Sequence, residues 1–185
     1  ESRYFIQKKF WEKLSANYAD PYMLCWRSLT STTNARTTLA MLLPTMPTCQ
    51  SIQFLQSSNT TDLLIILALL NSKPFDYLVR LKMPGIDLTQ SVIKQIPVPE
   101  RDTYKREVQF SNIGQPLEKH ILDRVTAILQ REPMITPILN GLRPTTPENL
   151  QKTKPTLEKE LDDLFFIAYG FSDVETREVQ GVFKK

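Results

Sequence analysis

Residues 61–72 read Thr-Asp-Leu-Leu-Ile-Ile-Leu-Ala-Leu-Leu-Asn-Ser, and they include the most apolar run of the chain. Four residues able to cap a helix, at positions 57–60, come directly before this stretch and predict a helix N-terminus there. Leucine, isoleucine and alanine then occupy nearly every face of the helix, as is typical of a buried helix. The sequence therefore predicts a helix over 61–72 that packs against a sheet. Its apolar run, Leu63 to Leu70, is too short to cross a bilayer, so no membrane partner is expected.

Short apolar segments on both sides of this helix predict the strands of that sheet. Three of them precede the helix, over 22–29, 35–43 and 51–56, and polar or proline-containing turns separate them. A fourth is predicted over 92–98, where apolar and polar residues alternate until two prolines end the pattern. The predicted fold class is α/β, in the α+β sense, with a mixed, twisted sheet over about 20–100 and the buried helix against it.

The C-terminal part of the chain has a different pattern and is predicted to be helical. Apolar residues at helical spacing predict amphipathic helices over 116–130 and 156–169. Between them, residues 131–155 contain five prolines and are predicted to form a linker or long loop. These differences predict two parts, a domain over 1–110 and a helical C-terminal segment over 111–185.

Composition restricts the class of protein. The 185 residues are 41% hydrophobic and 23% charged, which is ordinary for a globular chain and excludes wholesale disorder. Thirteen prolines against five glycines argue against a doubly wound nucleotide-binding domain, since such a domain needs glycine-rich loops. The net charge is +3, and six basic against three acidic residues place the positive excess in residues 1–36. This excess permits a polyanionic partner.

Signatures of catalysis are mostly absent. The sequence contains no phosphate-binding, dinucleotide-binding, serine-hydrolase or zinc-protease motif. Two distant cysteines, Cys25 and Cys49, and the single His120 are too few for a zinc ribbon or a disulfide framework, so the thiols are expected to be free and the protein cytoplasmic. His120 is predicted to be a solvated surface residue. The acidic pair Asp162–Asp163 is predicted to form a solvated helix face with a helix-packing contact.

The most unusual segment runs from Trp26 to Thr38. Two arginines, Arg27 and Arg36, bracket a run of hydroxyl and amide residues. Arginine donates bidentately to guanine or phosphate, and Asn and Thr suit adenine edges and phosphate oxygens. The alternative is an ordinary loop in which the polar side chains cap turns and an arginine bonds a carbonyl. Composition alone favours neither reading.

A second basic set lies between positions 73 and 95. It consists of Lys73, Arg80, Lys82 and Lys94, with Tyr77 among them. Such residues would suit a phosphate-contacting surface. An ordinary solvated helix surface is the alternative.

These residues, taken in order along the chain, carry a resemblance to a known family. The array consists of Trp26-Arg27, Thr33-Asn34-Ala35-Arg36-Thr37, Leu43-Pro44, Leu67 to Ser72, Phe75 to Arg80 and Lys94 to Pro99. It resembles the C-terminal TaqI-like specificity region of large adenine-specific DNA methyltransferases, which serve restriction-modification and phage defence. The stretch from Leu157 to Ser172 is similar to the helix that often ends such chains. Ala35 stands where the family often has an acidic residue.

The resemblance implies a function in target recognition on double-stranded DNA. It implies an α/β specificity domain that binds the duplex but does not methylate, because the catalytic half of such enzymes, which holds S-adenosylmethionine, is not in this sequence. That catalytic domain would be a partner within the same polypeptide, with or without an attached nuclease. The DNA-binding residues implied are Arg27, Thr33, Asn34, Arg36, Thr37, Lys73, Arg80, Lys82 and Lys94. No catalytic, cofactor or metal residue is expected.

A rival function from another class is a protein–protein docking module of a defence complex. Its interface would be formed by the amphipathic helices over 116–130 and 156–169. Duplex binding that falls steeply with salt would favour DNA recognition, because each phosphate contact releases counterions. Binding of a protein partner that is insensitive to salt would favour docking.

Overall fold

The computed structural model describes residues 6–16, 20–83, 85–139 and 146–183. In chain order the elements are α1 (Lys8–Ser15), β1 (Tyr22–Arg27), β2 (Ala40–Pro44), β3 (Ile52–Leu55), α2 (Thr60–Leu70), α3 (Lys73–Lys82), α4 (Gln90–Ile93), α5 (Arg101–Lys105), β4 (Glu107–Phe110), β5 (Ile113–Pro116), α6 (Leu117–Leu129), a 3-10 helix (Thr136–Leu139), α7 (Pro147–Gln151), α8 (Lys154–Tyr169) and α9 (Asp173–Val182). The predicted α+β class is confirmed.

The main sheet has three strands in the order β2–β1–β3. Both pairings are antiparallel, with Leu24 opposite Leu42 on one side and Leu55 on the other. The second sheet is the antiparallel β4–β5 hairpin. The described strands therefore form antiparallel sheets, so the prediction of a mixed sheet is wrong. No helix lies between β1, β2 and β3 along the described chain, and parallel neighbours usually need a helical crossover connection.

Helix α2 is buried, as the sequence predicts. The Asn59 side chain accepts a hydrogen bond from the Asp62 backbone N–H and fixes the start of the helix. Seven of its eleven residues are buried. They share one core with Leu24, Trp26 and Leu42 of the sheet and with apolar side chains of α6 and α8. Burial of each large apolar side chain stabilises the fold by roughly 1.5–3 kcal/mol, so α2 contributes strongly to the stability of the molecule.

The strand predicted over 92–98 is wrong. The Thr89 side chain accepts a hydrogen bond from the Val92 N–H and starts the short helix α4, and the Lys94 N–H then bonds to the Gln90 carbonyl. The extended segment that follows lies beside α8, where the Tyr169 hydroxyl donates to the Pro97 carbonyl at 3.0 Å. Burial raises the pKa of Tyr169, so this hydroxyl stays protonated and keeps its bond.

The strand predicted over 35–43 begins five residues later than expected, at Ala40. The residues before it belong to the loop between β1 and β2. Thr37 and Thr38 are buried there although they form no strand. An apolar pattern alone could not separate a buried loop from a buried strand.

The β4–β5 hairpin was not predicted, and it explains why the prediction for His120 is wrong. Ser111 and Asn112 have φ values of 51° and 63°, as a two-residue type I′ turn requires. His120 is only 1% exposed because the hairpin covers it. One ring nitrogen lies 3.0 Å from the Val108 carbonyl oxygen, and the other lies 3.1 Å from the Gln115 amide nitrogen. His120 is thus a buried residue that holds the hairpin on α6.

Helices α6 and α8 pack together in the C-terminal part. The buried Arg124 guanidinium donates to the Glu160 carboxylate at 2.7 Å, and apolar side chains of both helices surround this pair. Parts of the predicted proline-rich linker are also packed, since Ile135, Leu139 and Asn149 are buried. Positions 140–145 of that segment lie outside the described residues.

Candidate nucleic-acid interface

The β1–β2 loop, residues 28–39, carries four of the nine predicted DNA-binding residues, Thr33, Asn34, Arg36 and Thr37. Its base is fixed by backbone pairing with the segment after α3: the Thr30 N–H donates to the Ile86 carbonyl, and the Leu88 N–H donates to the Ser28 carbonyl. The Trp26 indole N–H adds a bond to the Leu88 carbonyl at 3.0 Å. The loop therefore starts from a rigid part of the core.

Asp76 on α3 holds the C-terminal side of this loop. The backbone N–H of Thr37 donates to both carboxylate oxygens of Asp76, at 3.2 and 3.0 Å. Both residues are almost fully buried. A buried carboxylate must be paired, and Arg80, one helical turn later, provides the partner with its Nε 3.3 Å from Oδ1.

Arg80 in turn holds the tip of the loop. Its terminal nitrogens donate to the carbonyl oxygens of Thr32, Asn34 and Ala35 at 3.0, 2.9 and 3.2 Å. Only 13% of the Arg80 side chain is exposed. The N–H groups of the guanidinium thus form their hydrogen bonds within the protein, and these bonds fix the conformation of the loop.

The side chains at the tip of the loop, in contrast to its anchor, are exposed to solvent. Thr33 and Asn34 are both exposed, although each has a local hydrogen bond: the Thr33 hydroxyl lies 2.8 Å from that of Ser31, and the Asn34 amide nitrogen lies 3.5 Å from the Thr30 hydroxyl. These bonds restrict the two side chains without burying them. The tip therefore presents a hydroxyl and an amide on a fixed backbone.

A second charged cluster lies beside the loop, around Asp162 of α8. Asp162 is 2% exposed; it accepts the Lys73 backbone N–H at 2.7 Å, and the Lys73 ammonium lies 3.1 Å away. The Arg36 guanidinium approaches it at 3.7 Å. The prediction of a solvated face for Asp162–Asp163 is therefore wrong for Asp162, whereas the helix-packing contact is confirmed, because the carboxylate joins α8 to α3 and to the loop.

The predicted DNA-binding residues thus separate into two groups. Arg36, Thr37, Lys73 and Arg80 are engaged in contacts within the protein. Arg27, Lys82 and Lys94 are exposed, and their side chains form no hydrogen bond or ion pair with the described residues. They lie at the end of β1, in the last turn of α3 and just after α4, the elements that adjoin the loop.

Sequence reasoning missed two residues that shape this site, Asp76 and Phe183, and it gave Asp162 a helix-packing contact without its partners Arg36 and Lys73. The spacing of Asp76 and Arg80, four residues apart as in ion pairs along a helix, was a readable signal of an ion pair. The Phe183 ring lies at the end of α9, with its centroid 4.5 Å from the Arg80 guanidinium carbon and 5.8 Å from that of Arg36. No local pattern indicates this contact, because Phe183 is 103 positions from Arg80 and 147 positions from Arg36 along the chain.

Three broader observations complete the description. Among the described residues, no group of three His, Cys, Asp or Glu side chains is arranged to hold a metal ion. None of the described helices combines the length and the apolar character that a bilayer crossing requires. The chain matches no protein-family model, no curated protein and no solved structure. The resemblance to TaqI-like specificity regions consequently stays an expectation that depends on the motif residues.

Proposed function

We propose that this chain is a target-recognition module for double-stranded DNA, serving an adenine N6 DNA methyltransferase of restriction-modification or phage defence in the cytoplasm. The observation that carries the proposal is the β1–β2 loop, whose polar tip is exposed while Asp76 and Arg80 fix its backbone from within. A rigid loop loses little conformational entropy on binding, so contacts at its tip are available for discrimination between bases.

The free and the engaged residues would have different roles on DNA. Asn34 and Thr33 suit direct contact with base edges, since Asn pairs bidentately with adenine and Thr contacts thymine or phosphate. Arg27, Lys82 and Lys94 suit phosphate contacts, which set the position of the protein without reading sequence. Arg36, Lys73 and Arg80 would act through the shape of the loop. Methylation itself would require a separate catalytic domain that binds S-adenosylmethionine.

The experiment is duplex binding by this chain, measured by fluorescence anisotropy over a series of salt concentrations. We expect Arg27→Ala and Lys82→Ala to weaken binding to all duplexes and each to lower the salt slope by about one. Asn34→Ala should mainly reduce the difference between duplexes that contain and lack the recognised site, by about 1–3 kcal/mol.

Lys105→Ala is the matched control, because Lys105 is an exposed cation on α5 whose one ion-pair partner in the described part of the chain is the exposed Asp102. This variant should bind like the parent protein. Failure of the parent to bind any duplex at low salt, or unchanged salt slopes in both cation variants, would contradict the proposal.

The rival docking function would have to use the parts of its two predicted helices that are not packed in the core. The apolar faces of the helices over 116–130 and 156–169 pack on each other and on α2, with Leu117, Ile121 and Leu164 fully buried. These fully buried side chains are not accessible to a second protein, whereas Val125, Ile128 and Leu161 of the same helices line a groove beside β2.

A further inference from the structure

A groove of about 470 Å³ runs along the outer edge of the main sheet. The edge strand β2 forms one wall, and helices α2, α6 and α8 form the floor and the other wall. Its apolar lining includes Met41, Leu67, Val125, Ile128, Met134 and Leu161. Met41 and Met134 are more than half exposed at the rim, and methionine side chains adapt readily to different apolar partners. Volume and lining are both typical of a ligand-binding cleft.

The edge of β2 presents unpaired backbone groups to this groove. The Arg27 N–H donates to the Leu39 carbonyl and the Thr45 N–H to the Pro21 carbonyl, so the odd-numbered residues of β2 face β1. The even-numbered residues then direct their N–H and C=O outward. The Asn71 side chain pairs with both groups of Ala40, at 3.0 and 2.9 Å. The backbone N–H and C=O of Leu42 have no such partner among the described residues.

The groove also has a polar end, where β2 begins. Arg36 and Thr38 line it there, and the Arg36 Nη1 and the Thr38 hydroxyl are buried without a hydrogen-bond partner in the described chain. Thr38 is only 1% exposed. Buried polar groups are rarely left unpaired, because each lost bond costs about 1–3 kcal/mol.

The charges nearby indicate what kind of group would satisfy these two donors. Arg36 and Lys73 share the single carboxylate of Asp162, and the Arg36 contact at 3.7 Å is the longer of the two. Within this trio two cations face one anion, an excess of one positive charge, while the groove lining also includes Glu132 and the Lys154–Glu158 pair. A carboxylate would both neutralise the excess and accept from Arg36 and Thr38.

We propose that this groove binds an extended apolar peptide of a partner protein that ends in a free carboxylate. The peptide main chain would exchange two hydrogen bonds with Leu42, as in strand addition at a sheet edge. Its apolar side chains would pack between β2 and α6, and its C-terminal carboxylate would lie at Arg36 and Thr38. This places the peptide antiparallel to β2. A fatty acid could supply the carboxylate and apolar chain but not the donor that the Leu42 carbonyl needs. The proposal does not depend on DNA binding.

The probe is a display library of random heptapeptides with free carboxyl termini. Peptides are selected from it for binding to the whole chain. We expect enrichment of apolar residues near the C-terminus. The best peptide, synthesised with a C-terminal amide instead of a carboxylate, should bind about tenfold more weakly, as expected for the loss of charge-assisted hydrogen bonds. Recovery of no peptide above background would overturn the proposal, as would equal binding of the amide.

Thr38→Val tests the same site without disturbing the fold. Valine has the shape of threonine and removes only the unpartnered hydroxyl, so the thermal stability should equal or exceed that of the parent. Peptide binding should nevertheless weaken several-fold, whereas Thr33→Val at the exposed loop tip should leave it unchanged. Unaltered peptide binding by Thr38→Val would reject this assignment of the polar end. Binding of decanoate in the groove without any peptide enrichment would identify a lipid site instead.

Discussion

A single carboxylate, that of Asp76, links helix α3 to the backbone of the candidate DNA-binding loop. It accepts two contacts from the Thr37 N–H and pairs with Arg80, which then bonds three carbonyls of the same loop. The ion pair between Asp76 and Arg80 could be read from the sequence, because the two residues lie one helical turn apart. The bond to Thr37 could not, because the two residues are 39 positions apart and only the folded chain brings them together.

We predict that Asp76→Asn destabilises the protein by about 3 kcal/mol, because Arg80 then remains as a largely buried cation without its partner. Urea unfolding followed by circular dichroism measures this loss. Asp163→Asn is the control, since Asp163 pairs with the exposed Lys159 on the surface of α8, where such pairs contribute at most about 1 kcal/mol. Equal midpoints for the two variants would show that Asp76 does not hold the loop.

At the scale of elements, α9 was not predicted, although its start carries a clear local signal. The Ser172 side chain accepts from the Glu175 N–H, and the Glu175 carboxylate accepts from the Ser172 N–H, which is a capping box. The hydrogen bonds with Ser172 lower the pKa of Glu175. The helix packs on α3 and ends with Phe183 against Arg80.

We predict that Phe183→Ala loosens the β1–β2 loop without unfolding the chain. The phenyl ring covers the guanidinium that bonds the loop carbonyls, and a cation–π contact of this kind contributes about 0.5–2 kcal/mol. Hydrogen exchange of the backbone amides at 31–36 should therefore become faster. Val182→Ala, a change at an exposed neighbouring residue, should leave exchange in the loop as it is. Unchanged hydrogen exchange in Phe183→Ala would show that α9 does not support the loop.

The elements that the sequence predicted correctly are those with strong local signals. Helix α2 has the Asn59 cap and a continuous apolar run, and α8 ends at Gly170, whose φ of 72° suits glycine. The β4–β5 hairpin was missed because its strands are four residues long and its turn is Ser111-Asn112 rather than a glycine pair. At the candidate site, the sequence located the polar loop, but it could not distinguish the cations that are free from those that Asp76 and Asp162 engage.

At the scale of the whole molecule, one apolar core includes residues on both sides of position 110. Leu64 of α2 and Ile121 of α6 belong to the same cluster. A charged contact adds to this connection, since Asp162 accepts the backbone N–H at the start of α3. The division into a domain over 1–110 and a C-terminal segment stays a prediction, and this shared core argues that the two parts stabilise each other.

We predict that the full chain unfolds in urea as one cooperative unit. Trp11 and Trp26 both lie in the first 110 residues, so fluorescence reports on that part, whereas circular dichroism reports on the helices of both parts. Coincident transitions by the two probes would indicate a single unit. A fragment of residues 1–110 should lack a cooperative transition, because removal of α6 and α8 exposes the apolar face of α2 that they cover. A fragment that kept the protected fluorescence of Trp26, whose indole bonds the Leu88 carbonyl, would instead establish an independent domain.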